Sequence, residues 1–575
     1  MSTINMKING DNRVVPSGKT ILEAASIYKI KVPTLYYLKG INNTDDSGVC
    51  VVEVSGKEDL VPAATTRVRE GMEIQTESPK VVEARKSALK KILAIHDKDC
   101  INCIRTNNCE LQKLVHTYEL TDEKTLGESE LCEIDTSSIV LVRDNNKCIR
   151  CNRCINVCTK VQAVSAICAT GDGLDATIQP ASPQGLAATS CVSCGQCVTV
   201  CPVGALYEKD SSAEVYKALA DPEKYVVAEV APAVRVALGE DFDFPLGVDV
   251  EGKIATALHM LGFNGVFDTK FGADLTIVEE VNEFIDRMRN GGVLPIVTSC
   301  CPGWIKYCMH FYPDMLDNLS SCKSPQKMLG SVVKSYYAEK LGTDKKNIVV
   351  VSVMPCVAKK YEIYNDKDGA GVPDVDISIT TRELARMLDK EGIKPEALPF
   401  GEFDSPLGIG TGAGVIFGAT GGVTEAALRT AVEKMIGEEL ESLDFTAVRG
   451  MGGVKEASYE VGGDTIKVAV ASGLANTNAL LTKVQSGEAD YQFIEVMACP
   501  GGCVNGGGQP WQPAEVHAKV NVGEVRANAL YRNDQRSEIR KSHENSAMDE
   551  VYASYLGEPG SEKAHHLLHT THIRR

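Results

Sequence analysis

The sequence has 575 residues, of which 43% are hydrophobic and 24% charged, a composition typical of a globular chain of several domains that excludes wholesale disorder. Its 60 Lys and Arg against 77 Asp and Glu give a net charge of −17, which argues against general nucleic-acid binding because phosphate contacts need clustered basic residues. The 21 cysteines stand out. The beginning, MSTINMKING, predicts no secretory signal, and the longest weakly polar run, 407–423, is too short and glycine-rich for a membrane span. We therefore expect a cytoplasmic protein whose reduced cysteines bind metal and which has no membrane or nucleic-acid partner.

The first 209 residues contain short predicted elements separated by blocks of cysteine. Residues 1–78 hold one cysteine, Cys50, and predict a small α+β domain with strands at 4–8, 49–54 and 72–75 and a helix at 20–28. A helix at 81–95 belongs to a second module, 79–118, and a polar connector follows at 119–146, with strand character at 138–142. Residues 147–209 hold nine cysteines and little apolar material, so what the sulfurs bind must organise this segment.

From about residue 210 to the end, predicted strands and helices alternate, which indicates a large α/β domain. Short apolar runs suited to buried strands lie at 225–230, 294–298, 348–353, 468–471 and 493–497, and a helix is predicted at 275–288. Four of these strands end beside an unusual sequence. Because ligand sites in α/β sheets lie beyond the carboxyl ends of strands, we expect a site there. The four sequences are Ala231-Pro232, Ser299-Cys300-Cys301, Met354-Pro355-Cys356 and Ala498-Cys499.

Two runs of four cysteines form the strongest motif. Both have the spacing C-x2-C-x2-C-x3-C of two-cluster bacterial ferredoxins, in which the fourth cysteine of each run binds the other cluster. The alternative, two zinc knuckles, is disfavoured because zinc sites pair two CxxC units. The predicted ligands of one [4Fe-4S] cubane are Cys148, Cys151, Cys154 and Cys201, and those of the other are Cys191, Cys194, Cys197 and Cys158.

A second constellation, His96-x3-Cys100-x2-Cys103-x5-Cys109, offers one imidazole and three thiolates. A structural zinc site with three cysteines and one histidine would also suit this spacing. The position directly before the ferredoxin-like segment favours a third [4Fe-4S] cluster instead.

The third constellation is dispersed and comprises Cys300, Cys301, Cys356, Cys499 and Cys503. Taken alone, such cysteines are usually small buried hydrophobes. Here each stands among Pro and Gly residues, which allow the backbone to approach a bulky ligand closely. Four of the five could therefore hold a further cubane and leave one thiol for proton chemistry.

At these residues the chain resembles, over essentially its whole length, the iron-only ([FeFe]) hydrogenases of the long clostridial type. Three signatures of that family's active-site domain occur in order: TSCCPGW at 298–304, MPCVAKKYE at 354–362 and EVMACPGGCVNGGGQP at 495–510. The resemblance implies a β-grasp ferredoxin-like domain, a cluster module with one histidine and three cysteine ligands, a two-[4Fe-4S] ferredoxin domain and a two-lobed hydrogenase domain at 210–575 that ends in a small-subunit-like segment. It also implies reversible conversion of protons and electrons into H2.

The resemblance further implies an active-site H-cluster, a [4Fe-4S] cubane joined to a two-iron subcluster with CO, CN⁻ and azadithiolate ligands. Lys359 would donate to one cyanide, and Ala231 and Pro232 would lie over the other. Ala233 stands where some relatives carry Ser, so one hydroxyl donor is missing. The cubane ligands would be Cys301, Cys356, Cys499 and Cys503. The other pocket-lining residues would be Ser324, Gln326, Met354, Phe417 and Met497.

A proton route is implied through Cys300, Glu280, Ser320 and Glu283, with Arg287 at its outer end. The periodicity of the predicted helix independently places both glutamates and the arginine on one stripe, although a solvated charged face would give the same pattern.

One departure from the family concerns the N-terminal domain, which in relatives holds a [2Fe-2S] cluster with four cysteines. The corresponding positions here are Tyr36, Ser47, Cys50 and Ala64. We therefore predict the ferredoxin-like fold without its [2Fe-2S] centre.

The expected electron partner is a ferredoxin or flavodoxin. Residues 80–115 contain eight Lys or Arg against four Asp or Glu, a local excess that could steer an acidic partner or could be ordinary solvated charge. Hydrogenase maturation proteins and a monomeric state are also expected. Two other functions fit parts of the pattern: an iron–sulfur carrier or assembly protein, which would not need the proton route, and a respiratory NADH-dehydrogenase subunit, which matches only the first ~210 residues.

Two remaining features are given structural roles. The glycine-rich segment 410–422 lacks the Lys-Ser/Thr of a phosphate-binding loop and is predicted to pack closely around the active site. Cysteines without partners at ligand spacing are predicted to be core residues: Cys132, Cys168, Cys308 and Cys322.

Overall fold

The computed structural model describes residues 2–120, 132–171, 176–364 and 371–573. Its N-terminal domain is a mixed sheet with the order β2-β1-β5-β3-β4, in which β1 pairs antiparallel with β2 and parallel with β5. A helix, α1 (Ile21–Ile27), begins at a capping box formed by Thr20 and Glu23 and packs on this sheet. The strands are β1 (Thr3–Ile8), β2 (Asp11–Pro16), β3 (Val51–Val54), β4 (Val61–Pro62) and β5 (Glu73–Gln75). The predicted α+β, ferredoxin-like fold is confirmed.

Two helices, α2 (Pro79–Leu93) and α3 (Glu110–Thr117), form the next module. Arg85 of α2 is fully buried and donates hydrogen bonds to Glu77, to the Tyr118 hydroxyl and to the carbonyl of Val51, so it fastens this helix to the N-terminal sheet. Part of the predicted connector, 121–131, lies outside the described residues.

The cysteine-rich segment is built from two antiparallel strand pairs, β6 with β9 and β7 with β8, and two very short helices. Both helices follow a residue in the left-handed region, Asn152 (φ 61°) and Gly195 (φ 70°), which turns the chain sharply inside each cysteine run. The elements are β6 (Leu141–Arg143), α4 (Arg153–Asn156), β7 (Ile167–Thr170), β8 (Thr177–Pro180), α5 (Gln196–Val200) and β9 (Leu206–Glu208).

The rest of the chain forms two α/β lobes. One lobe contains the parallel sheet β11-β10-β13-β14. The other contains β12-β17-β16-β15, in which β15 is antiparallel to β16 and the other pairs are parallel. The strands are β10 (Tyr225–Val230), β11 (Gly265–Asp268), β12 (Ile296–Val297), β13 (Ile348–Met354), β14 (Ile377–Thr380), β15 (Val454–Val461), β16 (Asp464–Ser472) and β17 (Phe493–Met497).

Helices cover both sheets, and the predicted α/β class is confirmed. Those up to the middle of the domain are α6 (Ser212–Leu219), α7 (Pro232–Arg235), α8 (Glu251–Met260), α9 (Lys270–Asn290), α10 (Pro302–Phe311), α11 (Pro325–Val332), α12 (Ala338–Leu341), α13 (Ala358–Tyr364) and α14 (Thr381–Lys390). The later ones are α15 (Gly412–Ile416), α16 (Gly422–Ile436), α17 (Leu474–Gln485), α18 (Ala514–Lys519), α19 (Val522–Arg536), α20 (Ser546–Val551) and α21 (Glu562–Leu568).

The C-terminal segment packs against the first lobe. Val551, Tyr552 and Leu568 share a buried cluster with Phe271 of α9 and Met328 of α11. None of the helices that the structure describes is both long and apolar enough to cross a bilayer.

Two sequence predictions need correction here. Cys132 is exposed and Cys168 is half-buried, so neither is a core residue, whereas Cys308 and Cys322 are buried as predicted. The strand predicted at 294–298 is reduced to Ile296–Val297, because its pairing with β17 spans only these two residues.

Candidate metal centres and active site

A cavity lies between the two lobes, where loops from both sheets meet. The segments that follow β10, β12, β13 and β17 all line it, so the carboxyl ends of strands from both lobes converge on one space. Among the residues named from the sequence, the cavity is lined by Ala231, Pro232, Cys300, Cys301, Gln326, Met354, Cys356, Lys359, Phe417, Met497, Cys499 and Cys503.

The donor set around the cavity suits an iron–sulfur cube. Four thiols come from three separate loops, and Cys301 also occupies the N-cap of α10, where the helix dipole favours an anionic sulfur. Burial raises the pKa of all four thiols, that of Cys356 to about 12. Uncompensated, such thiolates would be costly in this interior, and bound iron supplies the compensating positive charge.

Lys359, the cation that the sequence predicts for the cavity, lines it and forms an ion pair. Lys359 donates to the carbonyl of Cys300 (3.1 Å) and to the carboxylate of Glu362 (2.8 Å). Burial alone would lower the pKa of Lys359, but Glu362 outweighs burial and raises it, so the ammonium keeps its charge.

Ser324 does not lie where the sequence predicts it, in the lining of the cavity. Its hydroxyl donates to Glu362 (3.0 Å), and it does not line the cavity. Gln326 does line it, donates to the same carboxylate (2.5 Å), and leaves its Oε1 without a partner among the described residues.

Three residues of the predicted proton route, Glu280, Glu283 and Arg287, lie on α9, while Cys300 and Ser320 belong to loops outside it. Glu280 is buried, its Oε2 has no partner in the described part of the chain, and it faces Cys300 closely enough to raise the pKa of that thiol. Burial raises the pKa of Glu280 to about 8, while nearby Ser320 acts in the opposite direction. Ser320 also donates to Glu283 (3.4 Å), which pairs with Arg287 (2.5 Å) at 15% exposure.

The two cysteine runs are grouped as a pair of cubanes would require. The charges of Cys148, Cys151 and Cys201 raise the pKa of Cys154, in addition to burial. Similarly, Cys197 is next to the other members of its predicted set, Cys158, Cys191 and Cys194, and also close to Cys154. The fourth cysteine of each run therefore lies beside the other run.

Gln162 gives independent support for an occupant of the second group. It is 1% exposed, and neither its Nε2 nor its Oε1 has a partner among the described residues. It lines a small apolar cavity together with Cys158, Cys191, Cys194 and Cys197. A buried amide without partners is costly, and the sulfur atoms of a cube would supply an acceptor.

The cysteine-rich segment touches the cavity loops directly. A Cβ atom on Gly507 would lie 2.4 Å from the Cys194 carbonyl oxygen and 2.7 Å from the Gly195 Cα. Gln196 donates to the carbonyl of Asn505 (2.9 Å), and the Cys194 thiol is close enough to Cys499 to affect its pKa. The second cubane group and the cavity thiols are thus neighbours.

The His96 module is tied to the first cubane group in the same way. Arg105 donates to the carbonyl of Cys201 (2.7 Å), and a Cβ on Gly204 would lie 2.5 Å from the Sγ of Cys103. The His96 Nδ1 is buried without a partner in the described residues, and burial with nearby Lys147 lowers its pKa to about 4, so the ring is neutral and able to ligate. Cys100 and Cys109 each face Cys103.

In the N-terminal domain, three of the four positions named above as [2Fe-2S] ligand positions hold no cysteine, and two of their side chains bond elsewhere. Tyr36 donates its hydroxyl to the carbonyl of Ile149 (2.5 Å), and Ser47 is bonded to Asp45 while it caps the amide of Val49. Cys50 is buried against the backbone at Ala64, and burial raises its pKa to about 12. One thiol cannot replace the four that such a cluster uses.

Sequence reasoning missed several residues at the site. Glu362, the partner of Lys359, lies at i,i+3 inside a quoted motif, and this spacing is the signal that could have found it. Thr269, Ala273 and Pro325 line the cavity without any motif of their own. Within the glycine-rich segment, a Cβ on Gly422 would clash with the carbonyl of Ile416, in keeping with close packing.

Comparison with family models divides the chain into matched segments. Residues 224–507 match the model described as iron only hydrogenase large subunit, C-terminal domain, and 521–575 match iron hydrogenase small subunit. Residues 85–124 match the NADH-ubiquinone oxidoreductase-G iron-sulfur binding region, 1–79 a 2Fe-2S iron-sulfur cluster binding domain, and 188–207 a 4Fe-4S binding domain.

Individual proteins give the same picture. The chain is 47% identical to NADP-reducing hydrogenase subunit HndD of Solidesulfovibrio fructosivorans over 100% of both chains, and 43% identical to iron hydrogenase 1 of Clostridium pasteurianum over 98% of both. Among solved structures, a variant of the [FeFe]-hydrogenase HydA1 from Chlamydomonas reinhardtii is 42% identical, with a TM-score of 0.57, covering 64% of this chain and 99% of its own.

Proposed function

Because this chain belongs to the iron-only hydrogenases, we propose specific roles for its residues in that chemistry. The protein is a hydrogenase oxidoreductase that interconverts protons, electrons and H2 and relays electrons through accessory iron–sulfur clusters. The observation that carries the proposed roles is the shared cavity, where four thiols, a free thiol and a charged lysine meet.

The cavity residues would hold and orient the H-cluster. Cys301, Cys356, Cys499 and Cys503 would ligate its cubane, and its two-iron subcluster, when bound, would supply the metal centre at which H2 is formed or split. Lys359 offers a fixed cationic donor to an anionic cyanide ligand, since Glu362 keeps it charged and in place. The apolar lining from Met354, Phe417 and Met497 excludes water from the reacting metal.

Protons move between the cavity and the surface through side chains of α9 and of two neighbouring loops. Cys300, which lines the cavity, would be the first relay, and Glu280, Ser320 and Glu283 would follow it, with Arg287 holding Glu283 at the outer end. Glu280 is protonated at neutral pH because burial raises its pKa to about 8, so it can donate a proton inward.

Electrons reach the cavity through three accessory [4Fe-4S] clusters. The proposed order runs from the His96 module to the Cys148 group, then to the Cys191 group and the cavity thiols. Each neighbouring pair is supported by close backbone or thiol contacts. The N-terminal domain holds no [2Fe-2S] centre in this proposal, since only Cys50 remains at the four ligand positions.

The electron partner is a small acidic carrier such as a ferredoxin or flavodoxin, which docks near the His96 module. Two features support this site: the local excess of Lys and Arg in 80–115 and the exposed side chain of Ile101, beside Cys100, at 90% exposure. Lys91→Glu should raise the KM for reduced ferredoxin several-fold and leave kcat unchanged, while Lys483→Glu on the remote helix α17 should change neither.

The deciding experiment is H2 evolution by anaerobically matured protein, with Cys300→Ala and Cys503→Ser as variants. Both substitutions should abolish turnover, and Cys300→Ala should do so with the infrared bands of iron-bound CO and CN⁻ retained. Undiminished turnover in either variant would refute the assigned roles. Absence of those bands in the matured wild-type protein would instead favour the iron–sulfur carrier function.

The full-length match to a subunit of an NADP-reducing hydrogenase suggests a second electron partner, another subunit of such an assembly that passes electrons on to NADP⁺. If this chain works in such an assembly, H2 oxidation by the isolated chain should reduce ferredoxin but not NADP⁺. Direct reduction of NADP⁺ by the isolated chain would contradict a ferredoxin-level partner.

A further inference from the structure

A hydrogen-bonded branch leaves the proton route at Glu283. The Ser321 hydroxyl lies 2.9 Å from Glu283 Oε2 and 2.7 Å from His569 Nδ1. On its other side, His569 Nε2 lies 3.1 Å from Glu279 Oε2. An imidazole is thus connected through a single hydroxyl to a carboxylate of the route.

The Nε2 of His569 faces a carboxylate that is held as an acceptor. Glu279 is fully buried, receives the Tyr552 hydroxyl (2.5 Å) and accepts the amide of Gly560 (2.9 Å). With two donors already directed at Glu279, the Nε2 of His569 carries a proton and donates the third bond. The Nδ1 that faces Ser321 is therefore the nitrogen whose protonation can change.

In both protonation states of His569, the polar atoms of the branch keep hydrogen-bond partners. When the ring is neutral, Nδ1 accepts the Ser321 hydroxyl, and Glu283 keeps the Ser321 amide as a donor (3.0 Å). When the ring is an imidazolium, its Nδ1–H donates to the Ser321 oxygen and the hydroxyl turns to Glu283. No polar atom of the branch loses its partner in either state, so a proton can enter or leave without rebuilding the site.

We propose that His569 is a proton-storage residue of this enzyme, loaded and unloaded through Ser321. The proposal deepens the proposed function, because it rests on Glu283 as part of the proton route. In loading, the proton on Glu283 moves to the Ser321 oxygen while the Ser321 hydroxyl proton moves to His569 Nδ1. In unloading, both protons move back. Each H2 needs two protons. The store supplies one of them, and the outer end of the route takes up the other from solvent.

The surroundings of His569 suit a store rather than an open exit. His569 is only 9% exposed, and the ring of His565, an exposed residue, stacks on its ring with centroids 4.6 Å apart. Other charged or titratable groups surround this branch. They are Glu279, Glu283 and Arg287 on α9, Lys434 on α16, Tyr552 on the C-terminal π-helical turn Tyr552–Leu556, Cys322 beside Ser321, and His572 after α21.

The test measures H2 evolution by the matured holoenzyme with a reduced viologen dye as the electron source, from about pH 6 to about pH 9. His569→Gln retains an amide donor for Glu279 but cannot take up a proton. Ser321→Ala removes the connecting hydroxyl and leaves the pairing of His569 with Glu279 intact. His566→Gln on the same helix is the matched control, because that ring is exposed and outside the branch.

We expect both branch variants to lose about 10-fold in rate near pH 6, where an imidazole can hold the extra proton, and less than about twofold near pH 9, where it cannot. Their solvent isotope effect in D2O should rise, while the control and the iron content of all variants stay unchanged. Three results would each overturn the storage role of His569. They are wild-type pH profiles in both variants, an equal loss of rate at every pH, and a loss of rate in only one of the two variants. Retained turnover in Cys300→Ala would instead overturn the proposed function.

Discussion

Single side chains at this site have properties set by burial more than by their chemical type. Glu280 is a carboxylic acid that keeps its proton at neutral pH, because burial raises its pKa to about 8. Lys359 is also buried but stays charged, since Glu362 accompanies it. The sequence could identify both residues by resemblance, but their protonation depends on neighbours that come from other parts of the chain.

The first residue-level prediction concerns the pH dependence of catalysis. Below about pH 8 Glu280 carries its proton and can donate it, and above that pH it is ionised, so the H2 evolution rate should fall through this range. Glu280→Gln should lower the rate by about 10²-fold or more at all pH values and remove this inflection. A variant that evolves H2 with the wild-type pH profile would show that Glu280 carries no proton.

The second residue-level prediction concerns Gln162, whose buried amide lacks a partner among the described residues. Loss of an N–H donor to the sulfur atoms of the neighbouring cluster disfavours the more negative, reduced state. Gln162→Leu should therefore lower the midpoint potential of that cluster by on the order of 50 mV, which in a one-electron couple is about 1.2 kcal/mol, the net value of one ordinary hydrogen bond. An EPR-monitored redox titration measures this, with the other clusters as internal controls. An unchanged potential would mean that the amide does not reach the cluster.

At the scale of elements, the site depends on loops that follow strands and touch one another. The strands β10, β13 and β17 were expected from short apolar runs and the helix α9 from apolar periodicity. The structure confirms all four, although α9 begins at Lys270 rather than at Leu275. The contact between the loops at Gly195 and Gly507 was not predictable, because no local pattern encodes which distant glycines meet. Similarly, Ser321 and His569 are 248 residues apart in the chain.

This contact predicts the effect of adding a single methyl group. Gly507→Ala would place a Cβ 2.4 Å from a backbone oxygen of Cys194, so the two loops must separate. We expect the apparent melting temperature to fall by a few degrees, consistent with about 1–3 kcal/mol of overpacking. Reduction of the active site by external dye should also slow.

The matched control is Gly452→Ala, where a Cβ would meet nothing closer than 3.6 Å. It should leave both the melting temperature and the reduction rate unchanged. Equal behaviour of the two alanine variants would show that the interdomain contact is not tight.

On the scale of the whole molecule, the His96 module and the two cysteine runs precede, in the chain, a domain whose two lobes share a cavity lined by further thiols. The order of domains and most cysteine groupings could be inferred from spacing, because short spacings in one segment dictate common ligation. Side-chain partners could not be inferred in the same way. The exposed Cys132 and the displaced Ser324 show that a residue type alone does not fix burial or neighbours.

The whole-molecule prediction concerns the N-terminal domain. Iron analysis and EPR of the wild-type protein should show no [2Fe-2S] cluster, whereas the triple variant Tyr36→Cys, Ser47→Cys and Ala64→Cys should gain about two iron atoms per chain. Cys50→Ala in that triple background is the control and should lose the gain. A [2Fe-2S] signal in the wild-type protein would contradict the prediction.

The bond from Tyr36 to Ile149 joins the N-terminal domain to the first cysteine run. The Tyr36 hydroxyl donates to the carbonyl of Ile149, and Asn42 donates to the carbonyl of Cys151, so two residues of one domain hold the loop between Cys148 and Cys151. The backbone around these two thiols therefore depends on a domain outside their own segment, and a substitution that loosens the N-terminal domain would be felt at the cysteine run.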